Sequence, residues 1–304
     1  MTRDEKNKNK QKEIENELDK EKRKKRLSFW IKFSIFIIIF LILFLFYNCY
    51  IATTKIIVRE DRVVSSKLPT NFDGIKIVQF SDLHYGTSVS LEELKSLVKL
   101  INSRNPDIVV FTGDLIHKNY TLDSKEQEKI TNQLKKINAS IGKYAIMGDE
   151  DTTNFTTIFN QSEFVILDND YDLIYKDNNN PILIVGIGSL LRENIDVTKA
   201  FEYFSQTTYN SNIYVIALFH EPDTADSIRD FPVDLMLAGH SHNGYITIPG
   251  LGAFIKKEGA KKYSQRFYKL DNSRLYISSG IGTDGLGIRI LCHPSIQLLR
   301  LSSK

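Results

Sequence analysis

"YAIMGDEDTTN", Tyr144 to Asn154, decides how this 304-residue chain is read. An apolar run, Tyr144-Ala145-Ile146-Met147, stops at Gly148 and releases the acids Asp149, Glu150 and Asp151. Such acids commonly form a solvated turn, because Asp bonds to its own backbone and tolerates turn conformations. At the tip of a buried strand they would instead be a carboxylate cluster placed for chemistry. The other apolar runs separate the two readings. "IVQFSDLH" ends in Asp82 and His84, "VVFTGD" in Asp114, "VIALFH" in His220, and "LMLAGHSH" in His240 and His242. The chain has six histidines, and four of them fall at these ends. That concentration favours the cluster.

Short apolar strands alternate with amphipathic stretches such as "SLEELKSLVKLINSRN" (90–105, capped near Ser90) and "DSKEQEKITNQLKKINAS" (123–140). The alternation predicts an α/β architecture. "YITIPG" (245–250), "RLYISS" (274–279) and "IQLLRL" (296–301) predict a second, more mixed sheet. In α/β sheets ligands sit beyond the C-terminal strand ends, where loops on a rigid scaffold bring distant residues together. In D-x-H and H-x-H, extended backbone would put both outer side chains on one side. Mixed imidazole and carboxylate ligands suit Mn, Fe or Zn, with Mg an option, and this set is too large for one ion. Two adjacent divalent metal ions are apparatus for in-line displacement at phosphorus.

"FWIKFSIFIIIFLILFLFYNCYIA", Phe29 to Ala52, reaches the length needed to cross a bilayer, about 20 residues. Trp30, Tyr47 and Tyr50 stand where interfacial aromatics belong, and Lys32 can snorkel. A long charged leader and the lack of a small-residue exit argue against a cleaved signal. "KRKKR", Lys22 to Arg26, precedes the span and keeps the N-terminus cytoplasmic by the positive-inside rule. The expected order is a charged cytoplasmic tail (1–28), a single-pass cell-membrane anchor (29–52), a stem (53–70) and an extracellular catalytic domain (71–304). The net charge is +3, and residues 1–28 hold eleven Lys or Arg against seven Asp or Glu. The basicity therefore sits in the tail, and no nucleic-acid groove is expected. Cys49 and Cys292 make neither a disulfide framework nor a metal motif. Nothing in the sequence marks an oligomeric state.

The ordered motifs "DLH" (82–84), "GD" (113–114), "GDED" (148–151), His220 and "GHSH" (239–242) resemble the signature of the calcineurin-like metallophosphoesterase superfamily. The resemblance covers roughly residues 70–304. "SDLH" and "SSGIGTDGLGIR" (278–289) are similar to its bacterial membrane-associated phosphodiesterase-type branch. It implies a four-layer α/β/β/α sandwich with two facing sheets. It also implies one cation on Asp82, His84 and His242, a second on Asp149, His220 and His240, and Asp114 bridging them. The family's third motif is Gly-Asn-His-Asp/Glu, so Asp149 stands for the Asn and Glu150 for the catalytic His. Asp149 is still expected to ligate, with an added negative charge that weakens the metals as Lewis acids. Glu150 is the expected proton donor, which requires a raised pKa. Asp114 and Glu150 are thus the expected catalytic residues.

His117 is read as a loop histidine or a pocket residue, and Arg289 as a surface ion pair or a phosphate contact. His293 is read as structural. The lysine-rich stretch Ile255 to Lys269 is read as a solvated face, with an anionic polymer or lipid surface as the alternative. The expected function is a membrane-anchored phosphoesterase acting outside the cytoplasmic membrane on phosphodiester or phospholipid-like substrates. The alternative is a metal-binding ectodomain with weak or no catalysis, used for recognition.

Overall fold

Ile108-Val109-Val110-Phe111 is apolar at every position because both faces of its strand are covered. Ile108 and Val110 enter one core cluster, Val109 and Phe111 another. The period-2 alternation of a strand therefore divides the run between two layers. The same division holds in the second half of the chain, where Ile216 and Leu218 face one cluster while Val215 and Ala217 face a third.

The computed structural model describes residues 3–177, 180–206, 209–248, 251–285 and 287–304. Pro249 and Gly250 of the 245–250 run, and Leu286 of the 278–289 run, lie outside them. A single helix, α1 (Arg3–Phe46), carries the charged tail directly into the apolar run, and its apolar side chains are exposed all round. It is long and apolar enough to cross a membrane.

The remaining chain forms a separate unit from Cys49 onward. Its strands are β1 (Ile57–Ser65), β2 (Lys76–Phe80), β3 (Ile108–Thr112), β4 (Gly142–Ile146), β5 (Val165–Ile166), β6 (Asp170–Ile174) and β7 (Ile182–Gly186). They continue as β8 (Val215–Leu218), β9 (Leu235–Ala238), β10 (Thr247–Ile248), β11 (Gly252–Ala253), β12 (Phe267–Leu270), β13 (Ser273–Ile277) and β14 (Ser295–Ser303). Helices α2 (Leu91–Asn102), α3 (Ser124–Leu134), α4 (Thr153–Gln161) and α5 (Val197–Ala200) lie between them. One sheet has the order β1-β14-β2-β3-β4-β5 and the other β12-β13-β9-β8-β7-β6, with a small β10-β11 ribbon.

A central core joins the sheets through Ile77, Ile108 and Ile146 from the first and Ile184, Ile216 and Leu237 from the second. Helices α2, α3 and α4 cover the outer face of the first sheet. The segment Ala200–Tyr203 and the residues Ala225 and Ile228 cover the outer face of the second. The result is the expected α/β/β/α sandwich. Helix α2 starts where Ser90 caps it: the Glu93 N–H donates to Ser90 Oγ (3.3 Å), and the Ser90 N–H donates to Glu93 Oε2 (2.7 Å).

Two sequence-based boundaries need correction. The stretch expected to be a stem contains β1, which pairs along its whole length with β14, from Ile57 opposite Ser295 to Ser65 opposite Ser303. "IQLLRL", expected in the second sheet, is β14 and lies between β1 and β2 in the first. Both follow from one fact: the C-terminal run is apolar on both faces and fills an interior position. Phe111 is fully buried between Phe80 and Phe159, with ring centroids 5.0 and 4.9 Å away. Phe111→Ala should cost about 3–5 kcal/mol, measured as a lower urea midpoint with an unchanged slope.

Candidate metal centre

Strands β2, β3 and β4 are mutually parallel, as are β8 and β9. Asp82 and His84 follow β2, Asp114 follows β3, Asp149 follows β4, His220 follows β8, and His240 and His242 follow β9. All expected ligands therefore leave C-terminal strand ends, four from one sheet and three from the other.

The pleat does not aim the paired motifs. Asp82, His84, Asp114, His240 and His242 have left-handed backbone, with φ of 51°, 44°, 63°, 63° and 47°. The chain leaves β2 at Phe80 and turns alongside the β3 loop: the Asp82 N–H donates to Gly113 O (2.8 Å) and the Leu83 N–H to Asp114 O (2.8 Å). Such backbone is strained for non-glycine residues and clusters at functional sites. Two glycines admit the crowding. A Cβ on Gly113, itself at φ 91°, would meet His220 Nδ1 at 2.3 Å, and one on Gly148 would meet Asp114 Oδ1 at 2.2 Å.

Among the described residues four groups of side chains could each hold a cation: Asp114 with Asp149, His220 and His240; Asp82 with His84 and His242; His84 with Asp114 and Glu150; and His117 with Glu150 and Asp284. The first two are the expected ligand sets. In the first, His220 Nε2 lies 3.2 Å from both Asp114 Oδ2 and Asp149 Oδ1, and His240 Nδ1 lies 3.1 Å from Asp149 Oδ1. In the second, His84 Nε2 and His242 Nε2 face each other at 3.3 Å, with Asp82 Oδ1 3.4 Å from His242 Nε2. Asp114 Oδ2 also lies 3.8 Å from His84 Nε2, so its carboxylate stands between the groups.

The outward nitrogens are already engaged. His220 Nδ1 is 2.7 Å from Thr112 O, and His240 Nε2 is 2.7 Å from Glu258 O. As donors there, they leave the opposite nitrogen of each ring with a lone pair facing the centre. The inward atoms have no such partners. Asp114 Oδ2, Asp149 Oδ1, His220 Nε2 and His240 Nδ1 are buried without a hydrogen bond. Native folds seldom leave this many polar atoms unsatisfied at one point, and divalent cations would satisfy them together. The residues fit the expected metals.

The charges in the cluster are coupled: burial would lower His220, but Asp114 and Asp149 outweigh it and push it well up. Burial would raise the Asp149 carboxyl, but His220 and His240 outweigh it and hold it well below the usual range. Asp114 is likewise lowered, its burial outweighed by His220 and His84. His242 is pushed well down, by burial first and then by the charges of Lys257 and His84.

Glu150, the expected proton donor, is paired with two basic groups. Its Oε1 takes the Lys118 ammonium at 2.8 Å, its Oε2 accepts the Lys118 N–H at 3.1 Å, and Oε2 also lies 3.3 Å from His84 Nδ1. Burial acts to raise this carboxyl, but His84 and Lys118 overcome it and depress it well below the ordinary glutamate value. Glu150 backs the ring of His84.

Asp151 has a different task. Its carboxylate accepts the N–H groups of Asp114 (2.8 Å), Leu115 (2.8 Å) and Gly148 (2.9 Å), tying the β3 and β4 loops together. The opening acid triad thus divides into a candidate ligand, a histidine support and a loop clamp.

His117 is buried beside the centre, its Nε2 3.6 Å from Asp284 Oδ1. Arg289 is fully buried and makes no surface ion pair. Its guanidinium donates to Ser279 O (2.7 Å) and to Gly282 O, holding the loop next to His242. His293 lies apart, its Nδ1 3.4 Å from Ala52 O. Sequence reading gave no sign of Asp284 or Lys257, which meet at 3.2 Å next to this cluster.

A family model described as calcineurin-like phosphoesterase matches residues 75–244. The chain is 32% identical over 262 residues to metallophosphoesterase YkuE of Bacillus subtilis (strain 168), covering 84% of this chain and 89% of that protein. It is 29% identical over 234 residues to UDP-2,3-diacylglucosamine pyrophosphatase LpxG of Chlamydia muridarum, covering 60% and 69%. Phosphodiesterase YaeI of Escherichia coli (strain K12) is 24% identical over 242 residues, covering 74% and 82%.

Asp151→Ala would strand three buried N–H groups, at about 1–3 kcal/mol each. The expected outcome is a large loss in urea-unfolding stability of the full chain, while Asp151→Asn, which keeps one acceptor oxygen, should lose less.

Proposed function

Because the chain belongs to the calcineurin-like phosphoesterase family, we propose that it is a membrane-anchored, dinuclear-metal hydrolase of phosphodiester or phospholipid-like substrates. Membership makes it a metal-dependent phosphoric ester hydrolase. The observation that carries the finer reading is Asp114 Oδ2, which faces His220 Nε2 at 3.2 Å and His84 Nε2 at 3.8 Å, between two ligand groups. Asp82, His84 and His242 would hold one cation, Asp149, His220 and His240 the other, with Asp114 shared. When bound, such a pair neutralises phosphoryl oxygens and acidifies an attacking water. Mn, Fe or Zn suits the mixed donor set.

The chain's own groups do the positioning. The His240 N–H donates to Asp82 Oδ1 (3.0 Å), so a ligand of one sheet is oriented by the backbone of the other. Thr112 O and Glu258 O fix the rings of His220 and His240. Fixed orientation of this kind removes the entropic cost of assembling reactants. Relatives named as a phosphodiesterase and as a UDP-2,3-diacylglucosamine pyrophosphatase support a diester or lipid-linked substrate.

The purified full chain, loaded with Mn(II), Fe(II) or Zn(II), should hydrolyse bis(4-nitrophenyl) phosphate, and a chelator should stop it. Asp114→Asn should reduce the rate by on the order of 10²-fold or more, since even groups behind a metal ligand are worth 10–100-fold. Metal-independent turnover, or an Asp114→Asn variant as active as wild type, would sink the reading.

The placement outside the cytoplasmic membrane rests on α1 and on the basic run Lys22–Arg26 ahead of its apolar part. Protease added to spheroplasts should digest the part beyond residue 52. Protection of that part, with an accessible N-terminus, would invert the topology.

A further inference from the structure

Lys257 belongs to a stretch whose composition suggests a solvated basic face, yet its side chain is only 18% exposed. The backbone around it is stitched to the centre. Glu258 O engages His240 Nε2 at 2.7 Å, and Gly259 O accepts the Asp223 N–H at 2.8 Å. The Asp223 carboxylate accepts the N–H groups of Lys261 (2.9 Å), Lys262 (3.1 Å) and Tyr263 (3.0 Å). A loop held this way carries its side chains at fixed positions, as a functional site requires.

Lys257 Nζ lies 3.2 Å from Asp284 Oδ2. Asp284 Oδ1 in turn faces His117 Nε2 at 3.6 Å and Lys118 Nζ at 3.8 Å. Lys118 is 55% exposed and committed to Glu150 at 2.8 Å. Of the two ammonium groups, Lys257 is therefore the shielded one. An ammonium has three N–H donors, and Asp284 takes only one side of it. Burial lowers the lysine pKa, but Tyr245, Asp82, Asp284 and Asp114 more than reverse this.

The substrate of a phosphoesterase is anionic, while Asp149 and Glu150 place carboxylates where the resembled motif has a neutral amide and an imidazole. A further cation near the phosphoryl group would offset that added charge. We propose that Lys257 does so, donating to a non-bridging phosphoryl oxygen in the role vacated by the third-motif histidine. The inference rests on the phosphoesterase reading above. In the step it serves, the oxygen of water bonds to phosphorus as the ester P–O bond breaks. The proton of water ends on the departing alkoxide, and Lys257 keeps its own.

The test compares wild type, Lys257→Gln and Lys257→Arg as full-length, Mn(II)-loaded protein. Loss of one preorganised donor to a charged oxygen is worth about 10²–10³-fold, so Lys257→Gln should lower kcat/KM for bis(4-nitrophenyl) phosphate by that order. Calorimetry with inorganic phosphate should show roughly tenfold weaker binding, the size of one charge-assisted hydrogen bond. Lys257→Arg should recover most of both, and bound metal should stay at the wild-type level. Turnover and phosphate affinity within twofold of wild type in Lys257→Gln would overturn the assignment and leave Lys257 as a mere holder of Asp284. Loss of metal from Lys257→Gln would overturn it too, since the lysine would then serve the ligand cage. A wild type inert toward the ester would overturn the hydrolytic reading, and the phosphate titration would still decide for or against Lys257.

Discussion

The candidate ligands are split between two sheets, so the centre exists only while the sheets keep one spacing. Hydrogen bonds of Asp82 and Gln79 help fix it at the rim, beside the contact of His220 Nδ1 with Thr112 O. Asp82 Oδ1, at the end of β2, accepts the His240 N–H from the end of β9 at 3.0 Å. Gln79 Nε2, inside β2, donates to Ala238 O in β9 at 2.8 Å and to Thr112 Oγ1 in β3 at 3.1 Å. Both are fully buried, where an unmade bond leaves its partner desolvated and unpaired. Behind them the shared core of Ile77, Ile108, Ile216 and Leu237 resists any sliding of one sheet over the other. The approach of His84 to His242, 3.3 Å, is thus set by packing between the sheets.

This arrangement explains why so much strained backbone is tolerated at one rim. Left-handed φ at Asp82, His84, Asp114, His240 and His242 costs on the order of 1 kcal/mol or more per residue. The strain persists because neighbouring bonds overdetermine the loops. Asp151 gathers three N–H groups from the β3 and β4 loops, and Arg289 gathers carbonyls of the 279–282 loop. Neither residue is among the candidate ligands. They hold the shape into which the ligands turn.

Much of this was legible in the sequence, for reasons specific to particular residues. The strand ends were readable because Asp82, Asp114, Asp149, His220 and His240 each follow a run too apolar to be anything but buried. The second half of the first sheet was not, because a run such as "IQLLRL" carries no mark of which sheet it joins; the pairing of β14 with β1 and β2 is a long-range event. Helix α4 escaped notice because Thr153–Gln161 is short and starts without a side-chain cap. The geometry of D-x-H was misjudged because the strand stops at Phe80, two residues before the motif, and alternation has no meaning in a left-handed turn. The surroundings of Glu150 were hidden for another reason. Its partner Lys118 is 32 residues away in sequence, and only the fold brings the two together. Lys257 could not be found at all, since among several neighbouring lysines only loop closure decides which one is shielded.

Set against the motif this chain resembles, Asp149 and Glu150 are a change in charge. Replacing a neutral amide by Asp149 and an imidazole by Glu150 adds negative charge to a site whose substrate is itself an anion. At an effective dielectric near 20, two like charges 4 Å apart repel by about 4 kcal/mol, which bound cations and nearby ammonium groups would offset. The fold supplies the counterweight from outside the motif. Lys118 reaches Glu150 from the loop after β3, and Lys257 reaches Asp284 from the loop after β11. The added carboxylates thus act as anchors: Glu150 holds Lys118 and supports His84, while Asp149 draws His220 and His240 inward. On this reading the positive charge has moved from a ring on the third-motif loop to an ammonium on a loop of the other half of the molecule. The same loop also fixes His240 through Glu258 O, so the proposed phosphate contact and a candidate ligand share one support.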